Sequence, residues 1–422
     1  MKRALLAGLC AGAVIAAQLA AAGSIVIRNA TVHTLAKSGT LQNADLVITD
    51  GRITAIGQAL KAPADAQVID AAGRPVTPGL FGGLSHLGLE EIGLEPAAED
   101  FALKLGAMRP EFDVTLAFNP DSTEVEVGRL GGVAFTVIAP TAEPGAANAP
   151  GGTIIAGQGA VVTLDGAVGD SRALFIDVGG DVNVLSGGSR AAQFMLLRQA
   201  FAEAHAPNML LGMDQRLLTP AGRQTLLAFA ARSGLVVVNV DRASDIRQVL
   251  AFAAREKLRI AISGGVEAWR VAPEIAAAKV PVLLNPLSDL PENFDEVGAT
   301  LENAARLNRA GVEIAFTFTD PDGHMLRKLR QGAGIAVAHG LPWEAGLAAI
   351  TRVPAEIFGV ANRLGTIETG RVANIVLWSG DPLDVTSAAD EVIVGGKLEP
   401  HRSRQTELRD RYLERLRRNA AR

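Results

Sequence analysis

Six uninterrupted apolar runs set the tightest limit on what this chain can fold into. They are VAFTVIAP (133–140), ALFIDVG (173–179), LVVVNV (235–240), RIAISGG (259–265), PVLLNPL (281–287) and VEIAFTFTD (312–320). A strand with water on one face alternates apolar and polar residues, so a run that does not alternate must be packed on both faces. Between the later runs, residues 219–234, 243–257, 267–279 and 293–310 repeat their apolar positions with the period of a helix. Strands alternating with helices imply a parallel sheet, and the number of units favours a closed (β/α)8 TIM-like barrel over an open one. Residues 324–340 and 342–360 continue the pattern as two helices, whereas the Gly-, Ala- and Pro-rich stretch 139–166 reads as an excursion at the barrel mouth. In such a barrel the chemistry sits where the strands end, and several of these runs end in Gly, Pro, Asn or Asp.

The two ends of the chain are written differently. SIVIRNATVHTL, ADLVITDGRITAIG and AQVIDAAGRPVTPGL alternate with period two, and Asp50-Gly51 is a strong hairpin signal. GTIETGRVANIVLWSG and DEVIVGGKLEP return to that style near the C-terminus. Neither piece has apolar surface enough for its own core. Both ends are therefore expected to build one small composite β-sandwich. The division that follows is 23–76 and 362–400 for the sandwich, 77–361 for the barrel, and 401–422 for a charged helix.

Residues 1–22 read as a secretory signal peptide: Lys2 and Arg3, an apolar run, then small residues at 20 and 22. The expected location is secreted or periplasmic. Cys10, the only cysteine, falls inside that segment, so the mature chain has neither disulfides nor thiolate ligands. A formal net charge of −5 and 4% aromatic residues argue against a nucleic-acid partner. No segment after the signal is apolar and long enough to span a membrane.

PGLFGGLSH (78–86), RASDIRQVL (242–250) and PAEIFGVANRLGTIETGRVANIVLWSGDPL (354–383) together resemble the amidohydrolase superfamily, in its secreted imidazolonepropionase-like branch. The resemblance covers nearly the whole mature chain. It implies a hydrolase of non-peptide carbon–nitrogen bonds, in amides, cyclic amides or small dipeptides. It also implies a divalent metal, zinc or manganese, at the C-terminal face of the barrel. Neutral imidazoles and carboxylates would hold that metal so that its bound water ionises near neutral pH.

Residue by residue, the resemblance implies a depleted site. Leu84 stands where the first histidine ligand belongs and Gly82 where an aspartate belongs, while His86 keeps the second ligand position. Asn239 replaces the strand-five histidine, and no lysine occurs between Asp165 and Val240 to bridge two metals. Glu267 follows strand six, Asp320 ends strand eight, and His324 comes four residues later. The candidate set is thus His86, Asp320 and Glu267 for metal, Asp320 for proton transfer, and Asn239 and His324 for substrate. Each has an ordinary structural alternative: His86 as a strand-end hydrogen bonder, Asn239 with Asp241 as caps for the helix from Ala243, and Glu267 as a helix-dipole carboxylate. Two readings follow. One is a hydrolase with a weakened centre. The other is a catalytically inactive barrel that binds a small ligand, forms a homo-oligomer, or pairs with an active homologous amidohydrolase.

Overall fold

The computed structural model describes residues 23–93, 95–144, 151–206, 216–231, 234–400, 402 and 404–420. The signal peptide expected at 1–22 lies outside them.

The alternating N-terminal segment forms β1 (Ile25–His33), β2 (Thr40–Thr49), β3 (Arg52–Gly57), β4 (Gln67–Asp70) and β5 (Pro75–Pro78). β2 turns into β3 at Asp50 and Gly51, whose φ values of 50° and 75° are those a two-residue hairpin of type I′ requires. The barrel wall then runs β6 (Leu80–Ser85), β7 (Val133–Ile138), β8 (Ile155–Thr163), β9 (Val168–Asp177), β10 (Leu235–Val240), β11 (Arg259–Gly264), β12 (Val282–Leu284) and β13 (Ile314–Phe316). The chain returns as β14 (Ile375–Trp378), β15 (Ala389–Val394) and β16 (Lys397–Leu398). These complete the first sheet in the order β16-β15-β14-β5-β1-β2-β3, so both ends of the chain do share one β-unit.

The second sheet has the order β13 through β6 and is nearly closed. Its two edges meet through Ala349 and Ile350, whose carbonyls accept from Phe316 N (3.1 Å) and Phe81 N (2.7 Å). Helices flank it: α1 (Thr123–Leu130), α2 (Arg190–His205), α3 (Pro220–Ala231), α4 (Ala243–Glu256), α5 (Ala272–Ala278), α6 (Asn303–Arg309), α7 (Leu329–Ala338), α8 (Trp343–Ala348) and α9 (Arg352–Ile357). α10 (Arg404–Ala420) is the charged C-terminal helix. Among the described residues no helix is long and apolar enough to cross a membrane.

Two expectations need correction. The stretch 139–166 is not only a mouth excursion: its second half is β8, a wall strand that runs antiparallel to both β7 and β9. Its Gly and Ala content is a packing requirement rather than a loop signature, since a Cβ on Gly159 would overlap the Ile138 carbonyl oxygen. Residues 293–310 are helical only from Asn303. Before it, Asn293 accepts the Asp295 N–H (2.7 Å) and donates to Glu296 Oε1 (2.9 Å), and these local bonds replace a helical turn.

Candidate functional site

The wall strands β9, β10 and β11 bring Asp177, Asn239 and Ser263 into register as neighbours near the C-terminal ends of the strands. They line one side of a cavity of about 200 Å³ at the barrel mouth; His86, Thr141 and Asp241 also line it. Asp177 accepts the Ala142 N–H at 3.1 Å, and burial pushes its carboxyl up to about 6, against the lowering effect of the Ala142 and Asn239 hydrogen bonds. Asp241 accepts the Val266 N–H at 3.2 Å. Burial raises it to about 7, and repulsion from Glu296, Asp181 and Asp295 adds to the rise. Gly264, at φ +82°, makes room for this pair: a Cβ there would lie 2.5 Å from Asp241 Oδ1 and 3.0 Å from Asn239 Oδ1.

His86 is 4% exposed and stacks on Phe101 at 3.6 Å between ring centres. Its Nε2 is 2.9 Å from Thr141 Oγ1, and its Nδ1 is 3.6 Å from Glu90 Oε2. Burial lowers its pKa from 6.5 to about 3, so the ring is neutral at physiological pH. The unfolded chain takes up this proton below about pH 6.5 and the folded chain refuses it. Stability is therefore full above pH 6.5 and declines as pH falls toward 3, by about 1.4 kcal/mol per unit. Denaturant unfolding of His86→Gln is expected to show a decline from pH 6.5 to pH 5 that is smaller than wild type by about 2 kcal/mol. An unchanged decline would mean the ring gains its proton in the folded state.

The other candidates are placed as follows. Glu267 is 5% exposed, and both its oxygens hold backbone: Oε2 accepts from Ala243 N (3.1 Å) and Oε1 from Gly298 N (2.9 Å), with Arg270 at 3.2 Å. It caps α4, the role the sequence reading gave to Asn239 and Asp241. Asp320 is exposed, does not line the cavity, and accepts the Asp322 N–H at 3.2 Å. His324 is also outside the cavity lining, with its Nδ1 2.6 Å from Asp322 Oδ1. Asn239 does face the cavity.

The donors at this mouth do not fit an imidazole-bound metal centre. Leu84 has no lone pair to offer, and both nitrogens of His86 already face protein partners. The space a side chain at position 82 would enter is filled by Leu326, whose Cγ and Cδ2 lie 2.7 Å from where a Cβ on Gly82 would stand. A different set of donors does gather outside the cavity lining. Glu124, Asp322 and His324 each offer one atom, all within 4.8 Å of one another. Burial pushes Glu124 up to about 7, with Asp322, Glu90 and Glu91 adding repulsion. A Cβ on Gly323 would overlap the Glu124 carboxylate, so the glycine is what permits that approach.

Sequence reasoning passed over the mouth carboxylates Asp181, Glu292 and Glu296, and Asp177 as well. For Asp177 the signal was present: a carboxylate ending an apolar run that becomes a barrel strand.

The chain thus joins a barrel with a cavity at the C-terminal ends of its strands to a β-unit made from both chain ends. A model of the amidohydrolase family matches residues 310–398. The solved structure of an amidohydrolase from Thermotoga maritima MSB8 superposes with a TM-score of 0.78 at 25% identity, covering 90% of this chain and 100% of that one. Dihydroorotase of Geotalea daltonii is 57% identical over 51 residues, 12% of each chain. Amidohydrolase tasK of Hapsidospora irregularis is 45% identical over 58 residues, 14% of this chain and 6% of that protein. The chain thus matches only a small part of these two curated relatives. It has the fold of an amidohydrolase over 90% of its length and the family's sequence pattern over residues 310–398.

Proposed function

We propose that this chain is a small-molecule-binding amidohydrolase-superfamily protein whose mouth works without the family's histidine-held metal. The observation that carries the reading is the coupled change around strand β6. Leu326 fills the space beside Gly82, and His86 is spent on Thr141, Glu90 and Phe101. The cavity itself is kept, with Asp177, Asn239 and Asp241 on its wall. In this reading the chain is exported by its N-terminal segment. It acts alone, as a homo-oligomer, or beside an active homologue, as a receptor for the compound that the homologue processes.

A hydrolytic reading is favoured by one feature, the placement of Asp177 and Asp241 with carboxyls raised to about 6 and 7. Two such groups span the protonation states that acid–base cleavage of a carbon–nitrogen bond needs near neutrality. A single experiment separates the two. A panel of cyclic amides, small amides and dipeptides is tested for thermal stabilisation and for product release by mass spectrometry. Binding that is lost in Asn239→Leu, with no product after prolonged incubation, is expected. Product that disappears in Asp177→Asn or Asp241→Asn would replace binding with hydrolysis.

A further inference from the structure

The mouth cavity carries more chemistry than the binding reading uses. Five carboxylates line it: Asp177, Asp181, Asp241, Glu292 and Glu296. Among the described residues no lysine or arginine lines it, and the one imidazole in the lining is neutral His86. Two nearby cations are committed elsewhere. Arg190 is paired with Asp245 at 3.0 Å and with Asp295, and Arg270 with Glu267 at 3.2 Å. Arg242 is exposed on the approach to α4, and its charge acts on Asp245. Glu296 is held rigidly, its Oε2 accepting from Glu292 N at 3.2 Å and its Oε1 from Asn293 Nδ2 at 2.9 Å. Beside the acids, the lining includes the apolar residues Leu84, Val237, Val266 and Phe318.

A concave site with low-dielectric walls and charge of one sign focuses its field on whatever enters. Anions are repelled, neutral molecules gain nothing from the acids, and a cation relieves the repulsion among them. A divalent ion would also relieve it. However, about 200 Å³ of cavity with apolar residues in its lining suits an organic body better than a bare ion.

We propose, resting on the binding reading above, that the mouth selects a small organic cation, an amine or amidine with an apolar body. Its charged end lies toward Asp177 and Asp241 and its body against the apolar lining. The rim acids Asp181 and Glu292 draw it in.

The test uses three probes of one shape and different charge: benzylamine, benzyl alcohol and benzoate. Each is titrated calorimetrically into the full mature chain at pH 7.5 and low salt. Benzylamine is expected to bind about tenfold more tightly than benzyl alcohol, and benzoate more weakly than either. Glu292→Gln, an exposed change that leaves folding intact, should weaken benzylamine alone. Asp241→Asn should abolish the preference while benzyl alcohol still binds. Equal affinities, or a preference for benzoate, would overturn the cation assignment and leave the binding reading standing. Failure of all three probes to bind would overturn both. The titrations are repeated after adding manganese or zinc. One-for-one displacement of benzylamine by metal, itself lost in Asp241→Asn, would make the mouth a metal site and overturn the proposal.

Discussion

Replacing Glu267 with alanine is expected to destabilise the chain by about 3–5 kcal/mol, the range for breaking a buried, hydrogen-bonded charge. The carboxylate is 5% exposed and ties three segments together. It accepts the first N–H of α4 from Ala243 at 3.1 Å, the Gly298 N–H at 2.9 Å, and faces Arg270 at 3.2 Å. Removing it leaves two buried N–H groups without acceptors, each costing about 1–3 kcal/mol. Glu267→Gln keeps one acceptor oxygen and should lose about 1–2 kcal/mol. Chemical unfolding of the two variants checks this. If both retained wild-type stability while ligand or metal binding disappeared, Glu267 would belong to the site and not to the frame.

Gly159→Ala is expected to cost about 3 kcal/mol, at the upper end for overpacking, because the obstacle is backbone and not a movable side chain. The added Cβ would overlap the Ile138 carbonyl oxygen and lie 3.1 Å from Phe175 Cε2. Either β8 withdraws from β7 or the ladder between them opens, and the mouth beside it loses its shape. Gly311→Ala is the control: its φ of +81° is strained but no atom lies within 4 Å of the new Cβ, so the cost should be about 1 kcal/mol. A thermal melt in which the two variants behave alike would show that β8 is not seated against β7 as described.

The strain at Gly159 also explains why β8 was hard to read. IIAGQGAVV (154–162) has branched residues only at its two ends, and its centre AGQGA reads as loop because the close approach at Gly159 demands small residues there. The parallel strands were legible because burial on both faces leaves nothing but apolar residues to read. The composite β-unit was legible through its alternation and the Asp50-Gly51 turn. The mouth was half legible. Leu84, Gly82 and Asn239 stand out against the family pattern, and Asn239 does face the cavity. Asp177 also ends an apolar run, and register sets it beside Asn239. The role of Glu267 depends on partners 24 and 31 residues away along the chain, which no local pattern connects. Asp320 ends its apolar run as an active-site carboxylate would, yet the chain turns just beyond it. Its side chain takes up the Asp322 N–H in that turn.

The proposal that the mouth works without a histidine-held metal is tested by zinc stoichiometry. The purified mature chain is loaded with zinc, dialysed exhaustively and measured by mass spectrometry, alongside His86→Ala and Glu124→Gln. Any zinc retained is expected to be unchanged by His86→Ala; if Glu124→Gln reduces it, the metal lies at the Glu124–Asp322–His324 cluster. One zinc per chain that is lost with His86→Ala and kept in Glu124→Gln would contradict the account and restore a metal centre to the mouth.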